Sequence, residues 1–336
     1  MNIKLKILCL YLKNNFNFFK IKKIIENSID INEKNKDELE KFVEKLDISE
    51  EILAKYKIES LENIKFFFEE DFPDILYQNN AGVIFFKGNW NLLNDKNLFK
   101  IAVVGSRKPT TLTTKWTEEL MKLLMELENI CVISGLATGI DTIALKNSKI
   151  RISILGNGID YYYPPTNKKL QQRIAEEGLI LSEYPPKQPP QKYFFPYRNR
   201  LIAALADLVI VIQAAKNSGS ITTGKYALEM GKELLVPFIS ASPEFEGSKE
   251  LINNGGRIVT KPEEILNYLT FSKKIDNKNV EENTNILKII SDKPGITIEE
   301  LSYILNIPIP KTIEIVTNLE LEGKIFFDFN YSIFIK

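Results

Sequence analysis

At 336 residues the chain exceeds the roughly 100 to 200 residues of one domain, so it is read as two or three, each with a core drawn from a 44% hydrophobic and 26% charged composition. Basic and acidic residues balance at 44 each, and no run of about 18 apolar residues exists to span a bilayer as a helix. Histidine is absent, which excludes Ser-His-Asp and Cys-His catalysis, His-ligated metal and an imidazole base, and leaves any enzyme only carboxylates, Lys or Tyr. In the amino terminus, MNIKLKILCLYLKNNF, Lys6 and Lys13 break the apolar run and no small-residue cleavage site follows, so the segment is read as a buried first helix. Cys9 and Cys131 are too few for a disulfide framework or a zinc cage, and a cytoplasmic location is expected.

Residues 1–70 lack Gly and carry apolar residues at three- and four-residue spacing, which predicts a small helical domain, expected to be SAM- or helix-hairpin-helix-like. FPDILYQNNAGVIFFKG then supplies a Pro turn and a β-type run, Val83 to Phe86, leading into the next domain. From Ile101 short apolar runs at 101–105, 130–135, 151–156, 179–183, 207–213 and 233–238 alternate with helical stretches near 112–128, 139–147, 167–177, 198–206 and 219–231. Nearly continuous apolar strands separated by helices predict a doubly wound α/β domain, Rossmann-like and mostly parallel, over 71–270, with its ligand beyond the carboxyl ends of the strands. Residues 271–284 are polar and aperiodic and read as a linker. Residues 285–336 read as helix, turn, helix, turn, helix and hairpin, punctuated by Pro294-Gly295, Pro308 and Pro310, with Gly323 closing the third helix: a winged helix-turn-helix pattern.

Four constellations carry chemistry. The first strand ends in Gly105-Ser106-Arg107-Lys108, a loop offering amide N–H groups, a hydroxyl and two cations, with Arg107 able to grip a phosphate bidentately. The second strand ends in Ser134-Gly135, followed by Gly139 and Asp141; the glycines permit close approach to a ligand and the carboxylate is placed to hold a neighbouring loop. From Tyr184 to Arg200 five prolines bar regular structure, while Lys192, Arg198 and Arg200 interleave with Phe194 and Phe195 around Asn199. Cations neutralise backbone phosphate and aromatic faces stack unpaired bases, so this alternation suits a single strand; at least one of the two phenylalanines is expected to anchor the loop to the core instead. Ser218-Gly219-Ser220 opens another anion-ready helix that carries Lys225. It is no Walker A loop, because Tyr226 follows Lys225, and neither Gly-rich turn has dinucleotide spacing, so neither ATP hydrolysis nor NAD binding is expected and no cofactor or metal is called for.

In this order the motifs FPDILY, AVVGSR, SGLATGID, LGNGIDYYYPPTN, GLILSEYPP, FPYRNRLIAALAD, SGSITTGKYALEMGK and ELINNGG resemble the DNA-processing protein A (DprA/Smf) family from about Phe72 to Thr260. The resemblance implies a non-catalytic homodimer that binds single-stranded DNA, protects it and helps load the RecA recombinase on it during natural transformation. It matches Ser106 and Arg107 to the family's phosphate-gripping G-[ST]-R, and Arg198, Asn199 and Arg200 to its R-N-R. The chain departs from the pattern at Thr138, where the family has Arg; at Ala144-Leu145, where it has Ala-His before a longer helix; and at Phe238, where it has Gly.

Two other readings compete with this one. Phosphoribohydrolases of similar architecture carry P-G-G-x-G-T followed by Glu, whereas in NSGSITTGKYALE the threonines are followed by Gly224 and Lys225, without the wanted carboxylate. A duplex-reading regulator would need cations on the third helix of the winged module, where Lys311 stands against Glu314, Glu320 and Glu322.

Overall fold

Apolar runs of four to seven residues, too short for buried helices, become the centre of a nine-stranded sheet. The structure is a computed structural model that describes residues 3–27, 36–46, 51–269, 286–305, 309–321, 323–328 and 332–335. The strands are β1 (Ile64–Phe66), β2 (Val83–Gly88), β3 (Phe99–Gly105), β4 (Ile130–Ser134), β5 (Ile150–Leu155), β6 (Leu179–Ser182), β7 (Leu208–Ile212), β8 (Glu233–Pro237) and β9 (Arg257–Val259). Their order is β1-β2-β6-β5-β4-β3-β7-β8-β9, with β3 to β9 parallel to their neighbours and β1 and β2 antiparallel. Every residue of β4 and β7 is buried, and since successive side chains point to opposite faces, both faces of the sheet are covered.

The helices are α1 (Ile3–Lys13), α2 (Phe18–Glu26), α3 (Lys36–Glu44), α4 (Glu51–Tyr56), α5 (Asp74–Gln78), α6 (Thr111–Met125), α7 (Ile140–Lys146), α8 (Lys168–Glu177), α9 (Phe194–Leu205), α10 (Gly219–Glu229) and α11 (Glu246–Asn253). The six strands and five helices expected after residue 100 are present within a few residues. One differs in kind: α9 begins at Phe194, and Pro196, expected to bar regular structure, is its third residue. The first turn of a helix has no intrahelical use for a backbone N–H, so proline fits there.

Residues 1–265 form one compact unit and 266–336 another. The N-terminal helices, expected as a domain of their own, share one hydrophobic core with the sheet: Ile7, Leu8, Tyr11, Phe18 and Ile21 join Val104, Ile133, Ile154 and Val211. Gly82 takes part in this join, because a Cβ there would lie 2.0 Å from the ring of Phe18. Three-residue β1 lies inside the stretch read as purely helical, and an element so short leaves no periodicity to read. Among the described residues no helix is long and apolar enough to cross a membrane.

In the second unit, residues 286–292 are helical, followed by helices Ile298–Leu305 and Ile309–Leu321 and an antiparallel pair, Ile325–Phe327 with Ile333–Ile335. Its core is separate: Ile286, Ile290, Leu301, Val316, Leu319 and Ile333. Gly323 follows the last helix with φ +70°, the left-handed conformation that closes helices. The expected linker, 271–284, lies outside the described residues. A chain ending at Lys274 is expected to keep one cooperative unfolding transition with the midpoint of the first unit, since it loses no part of that core; thermal unfolding followed by circular dichroism checks this.

Candidate nucleic-acid interface

The sheet reverses its winding between β3 and β7, the position where open α/β sheets hold ligands. Gly105 ends β3 so close to β7 that a Cβ would lie 1.9 Å from the Ile212 carbonyl oxygen. The chain then turns out into the exposed pair Arg107 and Lys108. Ser106 is held in the turn: its Oγ accepts the Lys108 N–H (3.1 Å) and its carbonyl accepts the Ile140 N–H (3.1 Å). The next helix, α6, is capped by Thr110, whose Oγ1 accepts the Thr113 N–H at 3.2 Å.

Gly139 adopts φ +79°, and a Cβ there would lie 2.3 Å from the Ser106 carbonyl oxygen. Its freedom is used to press the β4–α7 turn against the Ser106–Arg107 backbone, not to admit a ligand. Gly135 serves the same internal end, since a Cβ would strike the Arg198 guanidinium at 2.4 Å. Ser134 is fully buried and donates its hydroxyl to the Val103 carbonyl at 2.6 Å. Asp141 does hold its neighbouring loop, accepting the N–H groups of Gly135 (3.1 Å) and Ala137 (3.3 Å). Burial raises its carboxyl above the ordinary range, against the pull of Arg198.

Arg198 rises from α9 into this floor. It is 4% exposed and donates Nη1 to the carbonyls of Gly135 (2.9 Å) and Ile154, and Nε to Asn199 Oδ1 (3.0 Å). Burial lowers its pKa to about 10, which still leaves it cationic at neutral pH. Asn199 donates Nδ2 to the Gly219 carbonyl (3.0 Å), tying α9 to the start of α10. That start has no side-chain cap: the Ser218 hydroxyl pairs instead with the Ser220 hydroxyl at 2.9 Å. An uncapped helix N-terminus leaves N–H groups for an anion.

The two phenylalanines part company. Phe194 is 3% exposed and stacks on Tyr184 with centroids 3.8 Å apart; it is the core anchor. Phe195 turns outward, with the Arg107 guanidinium 5.5 Å above its ring and Tyr163 at 5.6 Å. Together with the exposed Lys192 they line a cleft of about 770 Å³, floored by Arg198 and closed by Ser218, Gly219 and Ser220. Four cations, Arg107, Lys108, Lys192 and Arg198, face this space against the single buried carboxylate of Asp141.

Besides Ser134, Gly135, Gly139 and Phe194, which lie behind the cleft wall, two more predicted site residues stand elsewhere. Arg200 is buried and spends all five N–H donors inside the protein, on Glu183 Oε2 (2.7 Å) and Oε1 (2.5 Å) and on the carbonyls of Asn79, Asn80 and Tyr197. Lys225 lies outside the cleft and pairs with Glu250 at 2.7 Å. Sequence reasoning had no such role for Tyr163, Asn217 and Thr222, which also line the cleft. Tyr163 lies within a recognised motif, but nothing in its spacing signals that it meets Phe195. Cys131 is a core residue whose thiol burial pushes up to about 12.

Fold and cleft together define a Rossmann-like protein with a cation-lined, aromatic-walled cleft at the switch point of its sheet. The model of the DNA recombination-mediator protein A family matches residues 63–270, and the chain belongs to that family. It is 40% identical over 195 residues to the DNA processing protein DprA of Streptococcus pneumoniae, covering 56% of this chain and 67% of that one. To the protein Smf of Escherichia coli it is 37% identical over 196 residues, 56% of this chain but only 51% of that protein. The crystal structure of the Streptococcus pneumoniae protein superposes with a TM-score of 0.59 at 29% identity, covering 74% of this chain and 90% of the other. The solved structure of Helicobacter pylori DNA processing protein A, described with its single-stranded DNA binding mode, gives 0.56 at 32% identity over 61% and 95%.

Proposed function

We propose that the switch-point cleft binds the backbone and bases of single-stranded DNA, and that the chain acts as a non-catalytic recombination mediator, homodimeric and cytoplasmic. In this role it protects incoming strands and passes them to a RecA recombinase during natural transformation. The observation that carries the reading is the adjacency of Arg107 to the Phe195 ring, at 5.5 Å, in a cleft lined by three further cations. A phosphate needs the first and an unstacked base the second. The relative from Helicobacter pylori, described as binding single-stranded DNA, supports the same reading. The deciding experiment is a mobility-shift comparison of single-stranded and duplex DNA across a salt series. Preference for duplex, or no binding to either, would overturn the proposal.

Arg107→Ala is expected to weaken binding alike for all sequences and to flatten the log-log salt slope by about 0.7, the single-strand value for one phosphate no longer neutralised. Unchanged slope and affinity in a folded variant would remove Arg107 from the interface.

For the C-terminal unit we propose a winged-helix module that contacts protein rather than DNA. Residues 281–336 hold nine acidic against five basic groups, a balance that repels a polyanion. The chain ending at Lys274 should therefore keep its single-strand affinity within about tenfold, or roughly 1.4 kcal/mol. A larger loss in a folded truncation would make this unit the main DNA reader.

A further inference from the structure

Tyr163, which lines the cleft, is the last of three consecutive tyrosines. Beside it in the chain stand Tyr162, half-buried, and Tyr161, 39% exposed, and α8 begins five residues later with Lys168 and Lys169, both exposed. Lys168 Nζ lies 4.9 Å from the centroid of the Tyr162 ring. Neither lysine has an acidic partner within ion-pair distance among the described residues, whereas Lys87 and Asp160 nearby neutralise each other at 2.5 Å. Cations in the first turn of a helix oppose its dipole, so α8 gains nothing for itself from this pair.

The loop that carries the tyrosines is held from beneath. Buried Asn157 donates Nδ2 to the carbonyls of Gly158 (3.0 Å) and Tyr161 (2.7 Å), Gln171 donates to the Ile159 carbonyl (2.9 Å), and the Asp160 N–H donates to the Pro186 carbonyl (2.7 Å). Asn167 fastens the far end, donating to the Leu136 carbonyl (3.0 Å) and the Thr142 hydroxyl (2.8 Å). Backbone and inner polar groups are thus engaged, while aromatic rings and ammonium groups are left toward solvent. A ring held on a fixed loop costs less ordering on binding than one on a mobile loop.

We infer that Tyr161, Tyr162, Lys168 and Lys169 extend the nucleic-acid interface, forming a track along which a single strand leaves the cleft. Three observations support it: continuity with the cleft through the Tyr163–Phe195 pair at 5.6 Å, cation beside aromatic, and charge opposite to phosphate. Tyr161 lies two residues from Tyr163, at most about 7 Å of chain, so a strand leaving the cleft meets it without crossing open surface. Alternation of this kind binds any sequence, because every base has a face to stack and every nucleotide a phosphate. The inference rests on the proposed function and assigns it an additional stretch of the same ligand.

The test measures affinity of the full chain for oligothymidylates of increasing length, from about 4 nucleotides, the smaller end of single-strand site sizes, to about 20. For the double variant Tyr161→Ala, Tyr162→Ala the expected result is wild-type affinity for the shortest strand and about a tenfold loss for the longest. Lys168→Gln with Lys169→Gln is expected to flatten the salt slope on long strands only, by about 1.4, twice the single-strand value for one phosphate. All four side chains are exposed or half-buried, so the variants should unfold at the wild-type temperature. Loss on short and long strands alike, or wild-type affinity at every length for both variants, overturns the track while leaving the cleft in place. Failure of the unaltered chain to bind any strand overturns the cleft reading itself.

Discussion

Arg200→Ala is expected to remove about 3 to 5 kcal/mol of folding stability, because breaking one side of a buried ion pair strands the other charge. Glu183, 2% exposed, would keep a carboxylate that has lost both of its guanidinium bonds. The carbonyls of Asn79, Asn80 and Tyr197 would lose their donors as well, and the Tyr197 ring a cation 3.6 Å from its centroid. Arg200→Lys should recover little, since one ammonium has three donors where this site uses five. Replacing the pair together, by Arg200→Met with Glu183→Leu, should recover more than either single change, because it leaves no buried charge unpaired. Thermal unfolding measures all of these, and Tm in the single Ala variant should fall by on the order of 10 °C for a unit of this size. An unchanged Tm accompanied by lost DNA binding would return Arg200 to the interface.

Phe194→Ala should cost a similar about 3 to 5 kcal/mol, as large-to-small changes at buried rings do. The ring is stacked on Tyr184 at 3.8 Å and meets Phe16 edge-on at 6.4 Å, so its removal opens a cavity where α9, the Tyr184 segment and the N-terminal helices meet. The neighbouring Phe195→Ala should leave Tm nearly unchanged and instead cost roughly 1 to 3 kcal/mol of single-strand affinity with the salt slope kept, since stacking neutralises no phosphate. Two adjacent residues thus separate folding from binding. A Tm drop for Phe195→Ala equal to that of Phe194→Ala would abolish the distinction.

The α/β part was legible because its strands are unbroken apolar runs whose ends fall at Gly and polar clusters, and length alone separates them from helices. The place of Arg107 was legible for the same reason, since the end of the first such strand is a known position in the sheet. The buried role of Arg200 was hidden because R-N-R on a helix gives no clue to which arginine meets a carboxylate 17 residues earlier; the two come together only once β6 and α9 are in place. Phe194 and Phe195 are equivalent as a dipeptide, and only the helix beginning at Phe194 turns one inward and the other out. The union of the N-terminal helices with the sheet was hidden because an amphipathic helix advertises that it buries a face, not what it buries that face against.

That union fixes an order of events during synthesis. The hydroxyl of Tyr11 donates to the carbonyl of Glu183 at 2.7 Å, across 172 residues, and Phe16 packs edge-on against Tyr184 at 5.9 Å. At roughly 5 to 20 residues per second, the ribosome needs about 10 to 35 s to supply the later partners. Through that interval the apolar faces of α1 and α2 lack the partners that later cover them, and pairing across such a separation makes for slow closure of the core.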